Sequence, residues 1–292
     1  MELWRTLLDS AIVLPTAIHW RKSMRRATGR HVTSRALELL GTFDVNHPYL
    51  TLSQMAARAN MPPATAHRLA ADLEAWGALE RDRLHRYQIG TRLWEAGQLA
   101  PIPTRLREIA LPYMQDMYDK CKENVHFAVR HRLQVLYLAK LSGHQSISIL
   151  SREGSRLPMH STGVGKALLA FSSREIIDLY CAQPLERCTR FTIVEPQRLR
   201  RELALTRERG YSLTKEEMTL GSCSVAVPVF DANNAVVAGF GIVVHSVNHN
   251  LSHFAPLLRE KANEISEQMI QKECDPYPGF EHDLPDLPSA GG

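Results

Sequence analysis

The chain has 292 residues, of which 44% are hydrophobic and 23% are charged, and a net charge of +4. These values are typical of a globular protein with two domains. Its five cysteines are scattered without a C-x-x-C pair, which argues against a disulfide framework or a cysteine-built zinc site and favours a reducing cytoplasm. The apolar stretch "LLDSAIVLPTAIHW" is broken by Asp9, Pro15 and His19, so we expect neither a membrane span nor a secretory signal.

The positive charge is concentrated near the start of the chain. The first hundred residues hold thirteen basic and nine acidic side chains, an excess that equals the net charge of the whole chain. Between Arg21 and Arg35 there are six basic residues and no acidic one. Most charge runs are solvated surface, but a basic arm before a compact helical segment also suits a phosphate backbone. We interpret residues 1–28 as an N-terminal extension with a basic arm.

The next segment predicts a helix-turn-helix. The stretch 33–43 forms a first helix, with Thr33 or Ser34 as its cap and an apolar face of Leu37, Leu39, Leu40 and Phe43. The stretch "TLSQMAARA" (51–59) repeats apolar residues at helical spacing. The stretch "NMPPATAHRLAADLEAWG" follows, with prolines where a helix begins and Gly77 where it ends. Two helices joined by a short turn define the motif.

The second helix of this motif has one apolar and one polar face. The residues predicted to pack inward are Ala66, Leu69, Ala70, Leu73 and Trp76. Thr65, Arg68 and Asp72 lie on the opposite side, with His67 at the edge, and such groups suit base edges and phosphates in a major groove. The alternative is an ordinary solvent-exposed face.

A hairpin follows the polar helix. In "ALERDRLHRYQIG", the apolar residues Leu79, Leu84, Tyr87 and Ile89 flank a basic centre that contains Arg81, Arg83, His85 and Arg86. Two short strands with a basic tip after a recognition helix describe a winged helix, whose wing contacts the DNA backbone or minor groove. We therefore predict a winged helix-turn-helix domain over 29–91 and a linker over 92–106.

The remainder of the chain predicts a mixture of helices and antiparallel strands. The β-prone runs are "VHFAVR", "QVLYLAK", "SISIL", "SCSVAVPVF" and "AVVAGFGIVV". Helical runs are expected at 105–121, 161–171, 174–181, 196–209 and 256–271. The pattern indicates an α+β domain over 107–273, with a curved antiparallel sheet flanked by helices, and a flexible tail over 274–292 that is rich in Pro, Asp and Gly.

One motif in this domain, "HSTGVGKALLA" (160–170), looks at first like a phosphate-binding loop. His160 replaces the first required glycine and Ala167 replaces the required hydroxyl, so the P-loop pattern fails. Ser161 or Thr162 can cap a helix here, and the glycines leave its first amides open to an anion. Lys166 is then expected to be a solvent-facing helix residue.

Two further groups of residues were considered as a catalytic site and as a metal site. Cys223 and His160 lack a third orienting group, so we expect no catalytic residue and no enzyme. His245, His249 and His253 repeat every four residues, but the neighbouring asparagines and the preceding β-rich run indicate a strand end and a loop. We therefore expect neither a metal site nor a cofactor.

Several blocks together resemble a known family. The stretches "TSRALELLGTF", "HPYLTLSQMAARANMPPATAHRLAADLEAWGALERD" and "YQIGTRLWEAG" are similar to the DNA-binding domain of the IclR family of bacterial transcriptional regulators. The stretches "LREIALPYMQDMYDKCKENVHFAVR", "RLPMHSTGVGKALLA" and "RERGYSLTKEEMTLGSCSVAVPVFD" resemble its effector-binding domain, which implies a GAF-like fold. The sequence departs at Asn60, where the family usually has glycine, and at "PIP" (101–103), which would interrupt the helix expected between the domains.

The resemblance extends the set of candidate site residues. The candidate DNA contacts are Arg35, Ser53, Gln54, Pro63, Ala64, Thr65, His67, Arg68, Arg83 and Arg86. The candidate effector contacts are Met159, Gly163, Val164, Met218, Ser222, Cys223 and Ser224. For the glycines and serines of the second set, the alternative is close backbone packing and pairing with neighbouring strands.

The function that these observations favour is ligand-responsive regulation of transcription of a catabolic operon. We expect a homodimer or a dimer of dimers in the cytoplasm, bound to a near-palindromic double-stranded DNA operator and sensing a small organic acid. The family admits both aromatic acids and small keto acids. The competing hypothesis is an enzyme or metabolite-binding protein that uses the C-terminal pocket without a sequence-specific DNA role.

Overall fold

The computed structural model describes residues 31–44, 46–143, 151–245 and 250–272. Two compact units divide between Ala100 and Pro101, inside the segment predicted as a linker. The predictions for the extension 1–28, the strand "SISIL" and the tail 274–292 lie outside the described residues.

The first unit is a three-helix bundle followed by a hairpin and a further helix. Its elements are α1 (Val32–Leu40), α2 (Leu52–Arg58), α3 (Pro63–Trp76), β1 (Leu79–Arg81), β2 (Tyr87–Ile89) and α4 (Thr91–Gln98). The two strands pair antiparallel, and the core joins Leu39, Met55, Leu69, Leu79 and Tyr87. The predicted winged helix-turn-helix is therefore confirmed.

Backbone geometry at two positions sets the ends of α3. Asn60, in the turn before α3, has φ +49°, a left-handed conformation that asparagine tolerates better than most residues. Gly77 ends the helix at φ +87°, where a side chain would be strained. Pro62 and Pro63 occupy the N-cap and the first position of α3, where a missing amide hydrogen costs nothing.

Some apolar residues of the predicted elements are exposed. Leu37 is 56% exposed, because it lies two positions before the buried Leu39 and so points to the other side of α1. Trp76 is 45% exposed and stacks under the guanidinium of Arg92 at 4.7 Å. Leu84 lies at the hairpin tip and is exposed. A second correction concerns the start of α1, which has His31 as its N-cap and no side-chain cap.

The second unit is built on one six-stranded antiparallel sheet in the order β5-β4-β3-β8-β7-β6. Its strands are β3 (Asn124–His131), β4 (Gln134–Leu141), β5 (Arg156–Pro158), β6 (Ser212–Lys215), β7 (Ser222–Phe230) and β8 (Val236–His245). Its helices are α5 (Pro101–Cys121), α6 (Gly163–Phe171), α7 (Arg174–Cys181), α8 (Pro196–Arg209), α9 (Ala255–Gln271) and a 3₁₀ helix (Leu251–Phe254). The predicted antiparallel sheet with flanking helices is confirmed, and β5 and β6 are strands that the sequence patterns missed.

The sheet has a hydrophobic core on each face. Helices α5 and α9 cover one face, where Met114, Phe127, Phe240 and Ile265 are buried. Helix α6 covers the other face, backed by α7 and α8. Alternate residues of each strand therefore face opposite cores, which explains why β3, β7 and most of β8 are buried throughout.

The segment 92–106 is mostly helical. It contains most of α4 and the first turns of α5, with a break at Leu99 and Ala100. Pro101 and Pro103 lie in the first turn of α5, where their missing amide hydrogens interrupt no helical bond. The prolines thus end one helix and begin another, as the motif "PIP" indicates.

The start of α2 offers a test of the capping pattern. The Thr51 side chain accepts from the Gln54 amide, and the Gln54 side chain accepts from the Thr51 amide. We expect Thr51→Ala to lower the free energy of unfolding of the first unit by about 1 kcal/mol, and Thr33→Ala, at an exposed position of α1, to change it by less than about 0.5 kcal/mol. All four tryptophans lie in the first hundred residues, so urea unfolding followed by tryptophan fluorescence reports on this unit. Equal losses in the two variants would contradict the assignment of the cap.

Candidate functional site

The N-terminal end of α3 and the exposed side of α2 form a polar surface on the first unit. Six of the predicted DNA contacts are exposed there: Ser53, Gln54, Pro63, Ala64, His67 and Arg68. Thr65 is half-buried in the first turn of α3, and Arg35 is half-buried on α1. The side-chain oxygen of Gln54 accepts the Thr51 amide, which leaves its NH₂ group as the donor for a partner.

The two remaining predicted DNA contacts lie at the hairpin tip, and they differ in exposure and in their partners. Arg83 is exposed. Arg86 lies 2.6 Å from a carboxylate oxygen of Asp82, and its guanidinium stacks over the Tyr49 ring at 4.8 Å. Arg86 therefore shapes the turn, whereas Arg83 projects a charge that can contact a phosphate.

The second unit contains a cavity between the N-terminal end of α6 and the sheet, with a volume of about 40 Å³. Five of the predicted effector residues line it: Gly163, Val164, Met218, Ser222 and Ser224. A cavity of this size holds one or a few water molecules. A larger ligand requires a wall to move, and the unbranched side chain of Met218 is suited to that.

The other two predicted effector residues lie elsewhere. Cys223 alternates with Ser222 and Ser224 along β7 and belongs to the core on the α5 and α9 face, so its side chain points away from this cavity. Met159 is fully buried in the core beneath α6, where its amide donates to the Tyr180 hydroxyl at 3.0 Å. These placements count against direct ligand contact by Cys223 and Met159.

The first turn of α6 presents its backbone to the cavity. The first helical hydrogen bond runs from the Lys166 amide to the Thr162 carbonyl, so the amides of Gly163, Val164 and Gly165 precede it. Thr162 is the N-cap residue, but its hydroxyl donates to the Pro158 carbonyl at 3.0 Å instead of capping the helix. The expected side-chain cap is therefore wrong, because the threonine holds the preceding strand.

Lys166 is not a surface residue. It is completely buried, and its Nζ atom lies 2.5 Å from Oε1 of Glu217, which is also buried. Burial raises the pKa of the Glu217 carboxyl, and the Lys166 ammonium opposes this rise. The prediction of a solvent-facing lysine, which followed from the failed phosphate-binding pattern, is wrong, because helix α6 is enclosed on all sides and a buried charge then needs a partner.

The ion pair joins the two segments that line the cavity. Lys166 lies one turn into α6, and Glu217 lies in the loop 216–221 between β6 and β7. The loop is also held through its backbone, because the Thr189 hydroxyl donates to the Glu216 carbonyl and the Thr192 hydroxyl donates to the Glu217 carbonyl. Met218, the next residue, accepts from the Ser161 hydroxyl at its sulfur.

The cavity wall combines polar and apolar side chains. Among the described residues that line it there is no Asp, Glu, Lys or Arg. His126 of β3 is buried in this wall and bonded to the Ser151 hydroxyl at 3.1 Å. Burial, with a smaller contribution from Lys140, lowers the pKa of His126 to about 3, so its imidazole is neutral near pH 7.

Metal and membrane sites were also considered. Within the described ranges, no group of three His, Cys, Asp or Glu side chains is placed to hold a metal ion. His245 ends β8 and His253 lies in the 3₁₀ helix, so these two do not share one helix, and His249 lies outside the described residues. No helix in the described part of the chain is long and apolar enough to cross a bilayer.

The fold and the exposed α3 surface define a helix-turn-helix transcriptional regulator. Family models sharpen this class: residues 32–83 match the IclR helix-turn-helix domain, and residues 103–267 match the C-terminal domain of bacterial transcriptional regulators of the IclR type. The chain therefore belongs to the IclR family, as the sequence motifs predicted. The family consists of regulators, which sets aside the competing hypothesis of an enzyme without a DNA role.

Individual relatives agree with this assignment. The transcriptional regulator KipR of Bacillus subtilis is 28% identical over 82% of this chain and 95% of its own length. A crystal structure of an IclR homolog from Microbacterium hydrocarbonoxydans, complexed with 4-hydroxybenzoate, is 31% identical with a TM-score of 0.77 and covers 82% of this chain and 99% of that chain. The Thermotoga maritima IclR structure is 32% identical with a TM-score of 0.68 and covers 81% of this chain and 98% of that chain.

Sequence reasoning missed four residues that shape the cavity: Lys166, Glu217, His126 and Ser151. Lys166 and Glu217 are 51 positions apart, and no local pattern links them. His126 carried a weak signal, since a histidine inside the apolar run "VHFAVR" is a polar group that must find a partner once it is buried.

The buried pair predicts a non-additive effect on stability. We expect Lys166→Met and Glu217→Leu each to lower the free energy of unfolding by about 3 kcal/mol, because each leaves a buried group without its partner. The double variant should lose far less than the two losses combined. Urea unfolding followed by far-ultraviolet circular dichroism measures this. Arg174→Met, at a highly exposed ion pair, is the matched control and should change stability by less than about 0.5 kcal/mol. Additive losses would contradict the pairing.

Proposed function

We propose that this protein is a homo-oligomer whose affinity for a near-palindromic DNA operator is set by a small organic acid bound beside the first turn of α6. The observation that carries the acid-binding part is the cavity itself, which is lined by the first residues of α6 and by the hydroxyl residues Ser222, Ser224 and Thr214. The Ser222 hydroxyl donates to the Thr219 carbonyl, whereas the Ser224 and Thr214 hydroxyls bond to each other, so one O–H of that second pair is left to donate to a ligand. Amides and hydroxyls in that arrangement bind a carboxylate without a neutralising cation.

The DNA-binding part rests on the α3 surface. Arg68 and His67 are exposed on α3, and Ser53 and Gln54 are exposed on α2. Arg68 is suited to a bidentate contact with guanine, and the α2 residues are suited to phosphates. Arg83 at the hairpin tip adds a backbone contact.

The oligomeric state follows from how such a motif reads DNA. One recognition helix covers one half-site, so specific binding to a long site needs a second copy related by a two-fold axis. We propose a homodimer, or a dimer of such dimers, as the DNA-bound form. The operator is then near-palindromic.

The ligand class is supported by chemistry and by one relative. A carboxylate at the α6 N-terminus is favoured by the helix dipole. The structurally similar IclR homolog from Microbacterium hydrocarbonoxydans was crystallised with 4-hydroxybenzoate, which is a small organic acid. An acid that prefers one arrangement of the oligomer shifts the population toward it and thereby changes operator affinity.

Arg68 tests the DNA surface. We expect Arg68→Ala to weaken operator binding at least 30-fold, since each lost base contact costs about 1–3 kcal/mol and a dimer loses two. The measurement is a gel-shift titration on an operator selected from random DNA by the wild-type protein. Arg174→Ala is the control, because it also removes an exposed arginine, on α7. This variant should bind the operator with wild-type affinity. Unchanged affinity in the Arg68 variant would contradict the assignment of α3.

Gly163 tests the acid site. A Cβ atom at this position would lie 2.5 Å from the Ser224 hydroxyl oxygen, so we expect Gly163→Val to abolish the response of operator binding to an organic acid. The same gel-shift titration without acid should give the wild-type operator affinity, which serves as the control for folding. A normal acid response in the variant would place the acid elsewhere.

A further inference from the structure

The far end of the α6 cavity holds a buried polar pair that the proposed function does not use. His126 and Ser151 are 2% and 3% exposed, and the His126 Nε2 atom lies 3.1 Å from the Ser151 hydroxyl oxygen. Both residues line the cavity. Two buried polar side chains cost free energy unless they hydrogen-bond, and here each is a partner of the other.

This pair and the carboxylate end lie on the same face of the sheet, on strands β3 and β7, which are separated by β8. His126 on β3 is directly opposite Gly241 on β8, which is opposite Ala226 on β7. Ser224 lies two residues from Ala226 on the same strand. Neighbouring strands lie about 4.8 Å apart, so the backbones of β3 and β7 at the two polar ends of the cavity are roughly 10 Å apart.

Between the two ends, the sheet contributes the small residues Gly241 and Ala226. Gly241 contributes no side chain to the floor, and a Cβ atom there would lie 2.5 Å from the Cβ atom of Ala226. Val164 of α6 and Val243 of β8 also line the cavity. A slender apolar body that spans the gap buries its surface here, whereas a charged group would be desolvated without a partner.

The chemistry of the pair defines the group it can bind. A neutral imidazole accepts at one nitrogen and donates at the other, and a serine hydroxyl does both. When the His126 Nε2–H donates to Ser151, the Ser151 hydroxyl keeps its own O–H and one lone pair for a ligand; when Ser151 donates instead, its oxygen can only accept. Lys140 fixes the Ser151 backbone by donating to its carbonyl, and the Tyr137 ring packs edge-on against the imidazole at 5.2 Å.

We propose that the His126–Ser151 pair recognises a hydroxyl group at the end of the ligand remote from its carboxylate. This rests on the proposed function, which places the carboxylate at α6. The ligand class is then a hydroxylated monocarboxylic acid with an apolar body. A dicarboxylic acid is disfavoured, because the second carboxylate would meet a neutral, buried pair. The Lys140 ammonium lies beside this pair, but it donates to the Ser151 carbonyl and is not part of the described cavity wall.

Matched acids test the proposal. Calorimetric titration of the full chain uses 4-hydroxybenzoate, benzoate and terephthalate, and an aliphatic set of 4-hydroxybutanoate, butanoate and succinate. In at least one set we expect the hydroxylated acid to bind at least tenfold more tightly than its unsubstituted and dicarboxylic counterparts. Ser151→Ala should reduce that preference to less than threefold, and Ser151→Thr, which keeps the hydroxyl, should retain most of it. Circular dichroism checks that both variants are folded.

The possible failures are distinct. Equal binding of hydroxylated and unsubstituted acids by the wild-type protein, or tighter binding of a dicarboxylic acid, overturns the hydroxyl subsite and leaves the acid site of the proposed function in place. A preference that persists in Ser151→Ala also overturns it. If no acid of either set binds, both the subsite and the proposed acid site are rejected.

Discussion

The second unit depends on one buried ion pair. Lys166 and Glu217 come from segments far apart in sequence and form an ion pair in which the lysine is completely buried. Burying either charge without the other would cost several kcal/mol. The ion pair therefore fixes the position of the loop 216–221 relative to α6. Gly163, Val164 and Met218, which line the cavity, belong to these two segments. The pair therefore sets the geometry of the cavity without lining it.

That arrangement explains why the cavity wall can be neutral. The nearest positive charge on α6 is already neutralised by Glu217, so an anion in the cavity depends on backbone amides, the helix dipole and hydroxyls. Such a site binds through directed hydrogen bonds and discriminates by their positions. The proposed role of the buried His126–Ser151 pair at the other end of the cavity is of the same kind, since it would also discriminate through directed hydrogen bonds. Close packing also explains the glycines, because a Cβ atom at Gly165 would lie 2.4 Å from the Met159 carbonyl oxygen.

Local patterns predicted the architecture well and the interior of the site poorly. Helix spacing, prolines and Gly77 located α2 and α3, and the basic hairpin located the wing, because each signal is local in sequence. Lys166 was misjudged because α6 carries apolar and small residues on every side, which periodicity does not resolve. Cys223 was grouped with Ser222 and Ser224 by proximity in sequence, although a strand sends alternate side chains to opposite faces. Pairings such as His126 with Ser151 depend on sheet register, which motifs alone do not reveal.

The proposed regulation requires that acid binding in the α6 cavity and DNA binding on the α3 surface be energetically coupled. The most direct measurement is the dissociation constant of a binding acid, determined by calorimetry on the free protein and again on the protein saturated with operator. Coupling of at least 1 kcal/mol predicts a change of about fivefold or more between the two values. Identical dissociation constants would contradict the account, because a ligand with equal affinity for both states cannot change DNA binding.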